Sequence, residues 1–75
     1  GIVVPHVDTP EEARAVVEAL RFAPLGRRSI GGGYPQFGFA AVPALEAVTA
    51  LNAATLVIVM IETPTAVANA AAIAA

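Results

Sequence analysis

Lysine and cysteine are both absent from this 75-residue chain, and charged residues make up only 13% of it. Without cysteine there is neither a disulfide framework nor a thiolate site, and that route gives no indication of compartment. Without lysine no Schiff base can form on this stretch, which removes one whole route to carbonyl chemistry. The four cationic residues are all arginines and the net charge is −2, so there is no basic stripe for nucleic acid. Proline and glycine interrupt the longer uncharged segments, which argues against a membrane span. The first residues lack the basic region and cleavage pattern of a secretory signal. The default expectation is a cytoplasmic protein with no nucleic-acid or membrane partner.

What is abundant is apolar side chain. Hydrophobic residues reach 57%, which excludes a disordered tail. A chain this short buries a modest share of its surface and has few charges to cover the rest. Residues 1–75 are therefore expected to form one partial domain, a segment of a larger α/β domain whose other strands cover its edges.

Thr55 to Pro64 carries most of the signal. Leu56 to Ile61 is an unbroken apolar run rich in β-branched residues, which predicts a strand buried on both faces, as in parallel sheets covered by helices. Glu62 closes the run and Thr63-Pro64 follows. Thr63 suits an N-cap and Pro64 the first helical position, where a missing N–H costs nothing. Strand alternation puts Leu56, Ile58, Met60 and Glu62 on one face and Val57, Val59 and Ile61 on the other. Glu62 thus stands at the carboxyl end of a parallel strand, where α/β sheets and barrels bind ligands. A carboxylate in an aliphatic wall pairs, protonates or binds a metal; an ion pair with an arginine is the structural alternative.

The chain begins with a similar unit. Ile2 to Val7 reads as a strand, Thr9 as a cap, Pro10 as a helix start, and Glu12 completes a capping-box pattern three residues after Thr9. Glu11 and Glu12 suit the positive end of the helix dipole. Ala13, Val16, Val17 and Leu20 predict a buried stripe on a helix ending near Phe22, with Pro24 and Gly26 marking the stop. Val7-Asp8-Thr9-Pro10 matches Ile61-Glu62-Thr63-Pro64. Between these units, Arg28-Ser29-Ile30 is a short strand candidate, and Pro43 opens a helix with Leu45, Val48 and Leu51 on one face, ended by Asn52. The predicted order is βαβαβα, the pattern of a parallel sheet with crossover helices.

Among the other candidates, Gly31-Gly32-Gly33 lacks both the P-loop ending and the GxGxxG spacing. It is read as a tight turn or a close approach of backbone to ligand, with Tyr34, Phe37 and Phe39 either lining the loop or serving as packing. His6 shares a face with Asp8 in regular alternation, but no nucleophile or second ligand stands beside it, so it is read as a histidine satisfied by hydrogen bonds. Arg27 and Arg28 are read as surface charges around a turn. Asp8 resembles Glu62 in position. With one strand between theirs, however, their tips should lie roughly 10 Å apart, whereas oxygens on one Mg²⁺ are at most about 4 Å apart. A second metal ligand is therefore expected from outside this stretch.

Val4-Pro5-His6-Val7, the helix with Glu11-Glu12-Ala13-Arg14, Pro24-Leu25-Gly26-Arg27-Arg28-Ser29 with its glycines, and Val59-Met60-Ile61-Glu62-Thr63 together resemble the HpcH/HpaI aldolase and citrate lyase family. The likeness runs over essentially the whole chain. It implies a segment of a parallel (β/α)8 TIM barrel, the fourth to sixth βα units. It also implies a metal-dependent carbon–carbon lyase acting next to the carbonyl of a 2-oxo acid, with a divalent ion (Mg²⁺, Mn²⁺ or Co²⁺) stabilising the enolate. Glu62 falls on the family's metal-binding glutamate. The implied substrate is a small 2-oxo or hydroxy-oxo acid, and the full-length protein is expected to be a homo-oligomer. No catalytic residue is assigned here, because the family's second metal carboxylate, substrate arginine and catalytic histidine fall on other strands. Where the pyruvate aldolases carry a glutamine two residues before the metal ligand, this chain has Met60, so the resemblance leaves the substrate open. A CoA-thioester lyase of the citrate or malyl type and a non-catalytic barrel scaffold are the alternatives.

Overall fold

Strands β1 (Ile2–Val4) and β2 (Val57–Val59) lie side by side as a parallel pair in the computed structural model, which describes residues 1–75. The register is Ile2↔Val57, Val3↔Ile58 and Val4↔Val59. Bonds from Ile2 N–H to the Leu56 carbonyl and from Met60 N–H to the Val4 carbonyl, both 2.9 Å, carry the ladder past each end of β2. Helices α1 (Pro10–Leu20), α2 (Ala44–Ala54) and α3 (Pro64–Ala74) complete the unit, with a 3₁₀ turn at Pro35–Phe37. This is a small α/β unit with parallel strands.

The expected middle strand is absent, and the order is βααβα with the 3₁₀ turn before α2. Arg28-Ser29-Ile30 runs as irregular chain for two reasons. The Arg28 N–H returns to the Arg21 carbonyl at 2.9 Å, and its guanidinium lies 4.5 Å from the centroid of the Phe22 ring. Ile30, the one strong strand former of the three, is left 63% exposed before the glycines. The outer strands therefore pair directly, and two βα units stand where three were expected. The first strand is also shorter than Ile2 to Val7. Pro5 has no N–H to give a ladder, and His6 turns into the left-handed region at φ +59°.

Both threonine caps form as their positions predict. Thr9 Oγ1 accepts the Glu12 N–H at 3.1 Å, and Thr63 Oγ1 accepts the Ala66 N–H at 3.0 Å. The first capping box is only half closed, because the Glu12 carboxylate accepts the Thr9 hydroxyl rather than the Thr9 N–H. On α1 the stripe buries Ala13 and half-buries Val16 and Leu20, while Val17 is exposed. On α2 the buried side chains are Ala47, Val48 and Leu51. Leu45, expected on that face, is 79% exposed. Two residues before Ala47, it lies about 200° around the helix from it.

The buried core cluster lies where the segment after α1 meets α2. Phe22, Val48 and Leu51 form the core cluster, with Tyr34 and Phe37 packed against it. Asn52, expected only as a helix end, fastens this cluster. Its Oδ1 accepts the Phe22 N–H at 2.8 Å and its Nδ2 donates to the Phe22 carbonyl at 3.2 Å. Beside it, Arg21 Nη1 donates to the carbonyls of Asn52 and Thr55 at the end of α2, satisfying groups that a helix C-terminus leaves without partners. Replacing Asn52 by Ala strands the Phe22 N–H, while the Phe22 carbonyl keeps the N–H groups of Leu25 and Gly26. In the full-length protein the expected loss is about 1–3 kcal/mol, read from a denaturant or thermal melt. A change under about 0.5 kcal/mol would mean that water takes over the bond to the Phe22 N–H.

Candidate functional site at the strand ends

The carboxyl ends of β1 and β2 bring together His6, Asp8, Glu62 and Thr63. Direct pairing of these strands corrects the sequence-based picture in which a third strand held Asp8 and Glu62 about two strand spacings apart. The chain tops are adjacent, yet the two carboxylates do different things. Glu62 has a side chain 39% exposed, and its contacts within the chain engage Oε2 alone. That oxygen lies 3.4 Å from the His6 main-chain nitrogen and 3.9 Å from His6 Nδ1, a weak hydrogen bond and a loose contact. No arginine pairs with it; the other ion pair in the chain is Arg14 with Glu11.

Asp8 is engaged. Its Oδ1 accepts the Thr63 hydroxyl at 2.7 Å, and its carbonyl accepts the Asn69 side-chain amide at 2.9 Å. Thr63 was expected as a cap but not as a tie to Asp8, and Asn69 was not anticipated at all. The available signal was composition: α3 is rich in alanine, and Asn69 is its one amide side chain.

His6 departs from its expected role. Its positive φ breaks the alternation that would have set it on the face of Asp8. Its ring is 83% exposed instead of being satisfied by hydrogen bonds. Below Glu62, the even-numbered residues form an apolar face open to solvent, with Leu56 at 62%, Ile58 at 42% and Met60 at 38% exposure. The odd-numbered Val57, Val59 and Ile61 line a groove with Ala13 of α1 and Ile73 of α3. One side of β2 thus meets helices. The side that carries Glu62 does not.

The remaining candidates stay outside this cluster. In the triglycine, Gly31 N–H donates to the Tyr34 phenol at 2.6 Å, and Gly33 takes φ +61°, which fits a tight turn. Tyr34 packs edge-on against Phe22 and Phe37, while Phe39 is 69% exposed. Arg27 is exposed as expected, whereas Arg28 is half-buried against Phe22. No three His, Cys, Asp or Glu side chains cluster closely enough to hold a metal ion. Glu62 fits a divalent ion as a single hard oxygen ligand, and such ions take six or more.

A family model described as HpcH/HpaI aldolase/citrate lyase matches residues 1–75. The chain is 45% identical over 76 residues to a 4-hydroxy-4-methyl-2-oxoglutarate aldolase of Chaetomium globosum, covering 100% of this chain and 28% of that protein. It is 41% identical over 81 residues to a 4-hydroxy-2-oxovalerate aldolase of Novosphingobium aromaticivorans, covering 99% of this chain and 27% of that one. A hydroxypyruvate/pyruvate aldolase of Delftia acidovorans is 41% identical over 75 residues, with 99% and 27% covered. The chain thus spans little more than a quarter of the length of these relatives. No solved structure matches it significantly.

Proposed function

Because the chain belongs to the HpcH/HpaI aldolase/citrate lyase family, we propose that the full-length protein is a divalent-metal-dependent carbon–carbon lyase. It makes or breaks the aldol bond of a small 2-oxo or hydroxy-oxo acid. Residues 1–75 are read as part of its (β/α)8 barrel, with Glu62 at the barrel mouth as a metal ligand. One observation carries this: Glu62 lies just past the carboxyl end of β2, above the sheet face that no helix covers, with no arginine against it. A barrel interior formed by further strands would lie over that face. The names of the relatives support an aldolase ahead of a CoA-thioester lyase.

Within this chain Glu62 alone would hold the ion, with further ligands supplied from other strands. Its hard carboxylate oxygen suits Mg²⁺, Mn²⁺ or Co²⁺. When bound, such an ion supplies Lewis-acid polarisation of the substrate carbonyl. The left-handed turn at His6 puts a main-chain N–H on the β1 side of the carboxylate. Met60, two residues before Glu62 on the same face, presents a thioether and so favours an apolar part of the substrate. The cytoplasm remains the default expectation for its setting, and a homo-oligomer the expected state of the full-length protein.

Chelation distinguishes this chemistry from the lysine-based route. EDTA should abolish aldol cleavage by the full-length enzyme, Mn²⁺ should restore it, and borohydride with pyruvate should leave it active. Covalent trapping by borohydride would place the chemistry on a lysine elsewhere in the protein and defeat the proposal. Absence of cleavage with any divalent ion and any of these acids would favour the scaffold.

A further inference from the structure

We propose that Asp8 is a positioning residue for Glu62, acting through the hydroxyl of Thr63. This rests on the reading of Glu62 as a metal ligand and adds the device that aims it. The matching strand-end sequences set Asp8 opposite Glu62, but the strand register does otherwise. Continued residue for residue beyond Val4↔Val59, it sets Asp8 beside Thr63, one position past Glu62. The 2.7 Å bond from Thr63 Oγ1 to Asp8 Oδ1 is where that offset leads.

The Thr63 hydroxyl has one proton, and both of its directions are in use. It donates to Asp8 and accepts from Ala66 N–H, so its rotamer is fixed from two sides. Asn69, one and a half turns further along α3, holds the Asp8 carbonyl at 2.9 Å. Asp8 is thereby fastened to α3 at its cap and at its second turn. Between the end of β2 at Val59 and this clamped cap lie Met60, whose N–H makes the last ladder bond, Ile61 and Glu62, with Glu62 directly before the cap. Its own contacts, at 3.4 and 3.9 Å, are too loose to orient it. The direction of its carboxylate is therefore set by the backbone on either side, held below by the ladder and above by the Thr63–Asp8 bond. Asp8 itself is committed as an acceptor. Asp8 touches Thr63 rather than Glu62, so its effect passes through the backbone and falls at the low end of the about 10–100-fold change that follows loss of a partner bonded directly to a metal ligand.

The test uses the full-length protein and Mn²⁺ as the probe, with affinity from calorimetry, folding from a thermal melt, and kcat and KM from the aldol cleavage assay. Asp8→Ala should weaken Mn²⁺ binding by about 10-fold in folded protein, the low end of the range for partners bonded directly to a ligand. Asp8→Asn keeps an oxygen acceptor at the same place and should restore affinity to within about 3-fold. If Asp8→Ala does not fold, Thr63→Ala breaks the same bond from the other side and should give the same weakening. Glu62→Gln is the control. If it abolishes Mn²⁺ binding while Asp8→Ala or Thr63→Ala lowers only the melting point, the positioning role is overturned and the metal-ligand reading stands. If Glu62→Gln leaves Mn²⁺ binding intact, both fall together. Equal losses in Asp8→Ala and Asp8→Asn would also overturn the proposal, because the bond would then not be what matters.

Discussion

Purified as an isolated 75-residue chain, this protein should melt without a cooperative transition, bind a hydrophobic dye and associate at micromolar concentration. Only 7 of its 75 residues are buried, too few for a core that offsets the entropy of ordering the chain. The sheet has two short strands, each with one edge unpaired, and sheets this small are marginal at best in water. Val3, Leu56 and Ile58 present aliphatic surface on or beside that sheet at 54%, 62% and 42% exposure. The radius of gyration is 14.3 Å, against roughly 11 Å for a compact domain of this length. The same residues inside the full-length protein should be protected from hydrogen exchange along β1 and β2. A monomeric isolated chain with a sigmoidal, reversible melt would contradict the partial-domain reading.

Much of this fold was legible because its signals are local. Thr9-Pro10 and Thr63-Pro64 name two helix starts to within a residue, since a cap and a proline satisfy the same end in complementary ways. The apolar run before Glu62 does form a strand, but only over Val57–Val59, and it is covered on one face rather than the expected two, with the odd residues on the helices and the even face open. The number of strands did not read correctly. Whether Arg28-Ser29-Ile30 joins a sheet depends on a partner edge, and its residues found other partners in Phe22 and the end of α1. That single error displaced the geometry of the site by a whole strand spacing. The Asp8–Thr63 bond was hidden for a related reason. The repeat aligns the two units by likeness, whereas the ladder aligns them by register, and the two differ by one residue. Leu45 shows the same limit on α2, where periodicity names a stripe but the neighbour at Phe22 selects its centre.

Glu62→Gln keeps the size of the side chain and removes its charge, and on the proposed function the full-length variant should be close to inactive. Loss of a partner behind a metal ligand costs up to about 100-fold in affinity, so loss of the ligand's own charge should cost at least that much. Stability should move little, within about 0.5 kcal/mol. The carboxylate is 39% exposed, its one hydrogen bond to His6 is long, and the facing imidazole is 83% exposed. An exposed pair of that kind contributes little to folding. The amide also avoids holding an anion at the end of an apolar face, which favours it slightly. Calorimetric titration of Mn²⁺ into the full-length wild type and Glu62→Gln, with a thermal melt of each, reads both quantities on the same samples. The account predicts binding weakened about 100-fold or more with the melting point unchanged or slightly raised. Unchanged Mn²⁺ affinity with a lowered melting point would contradict it, leaving Glu62 a structural residue and this stretch without a metal ligand.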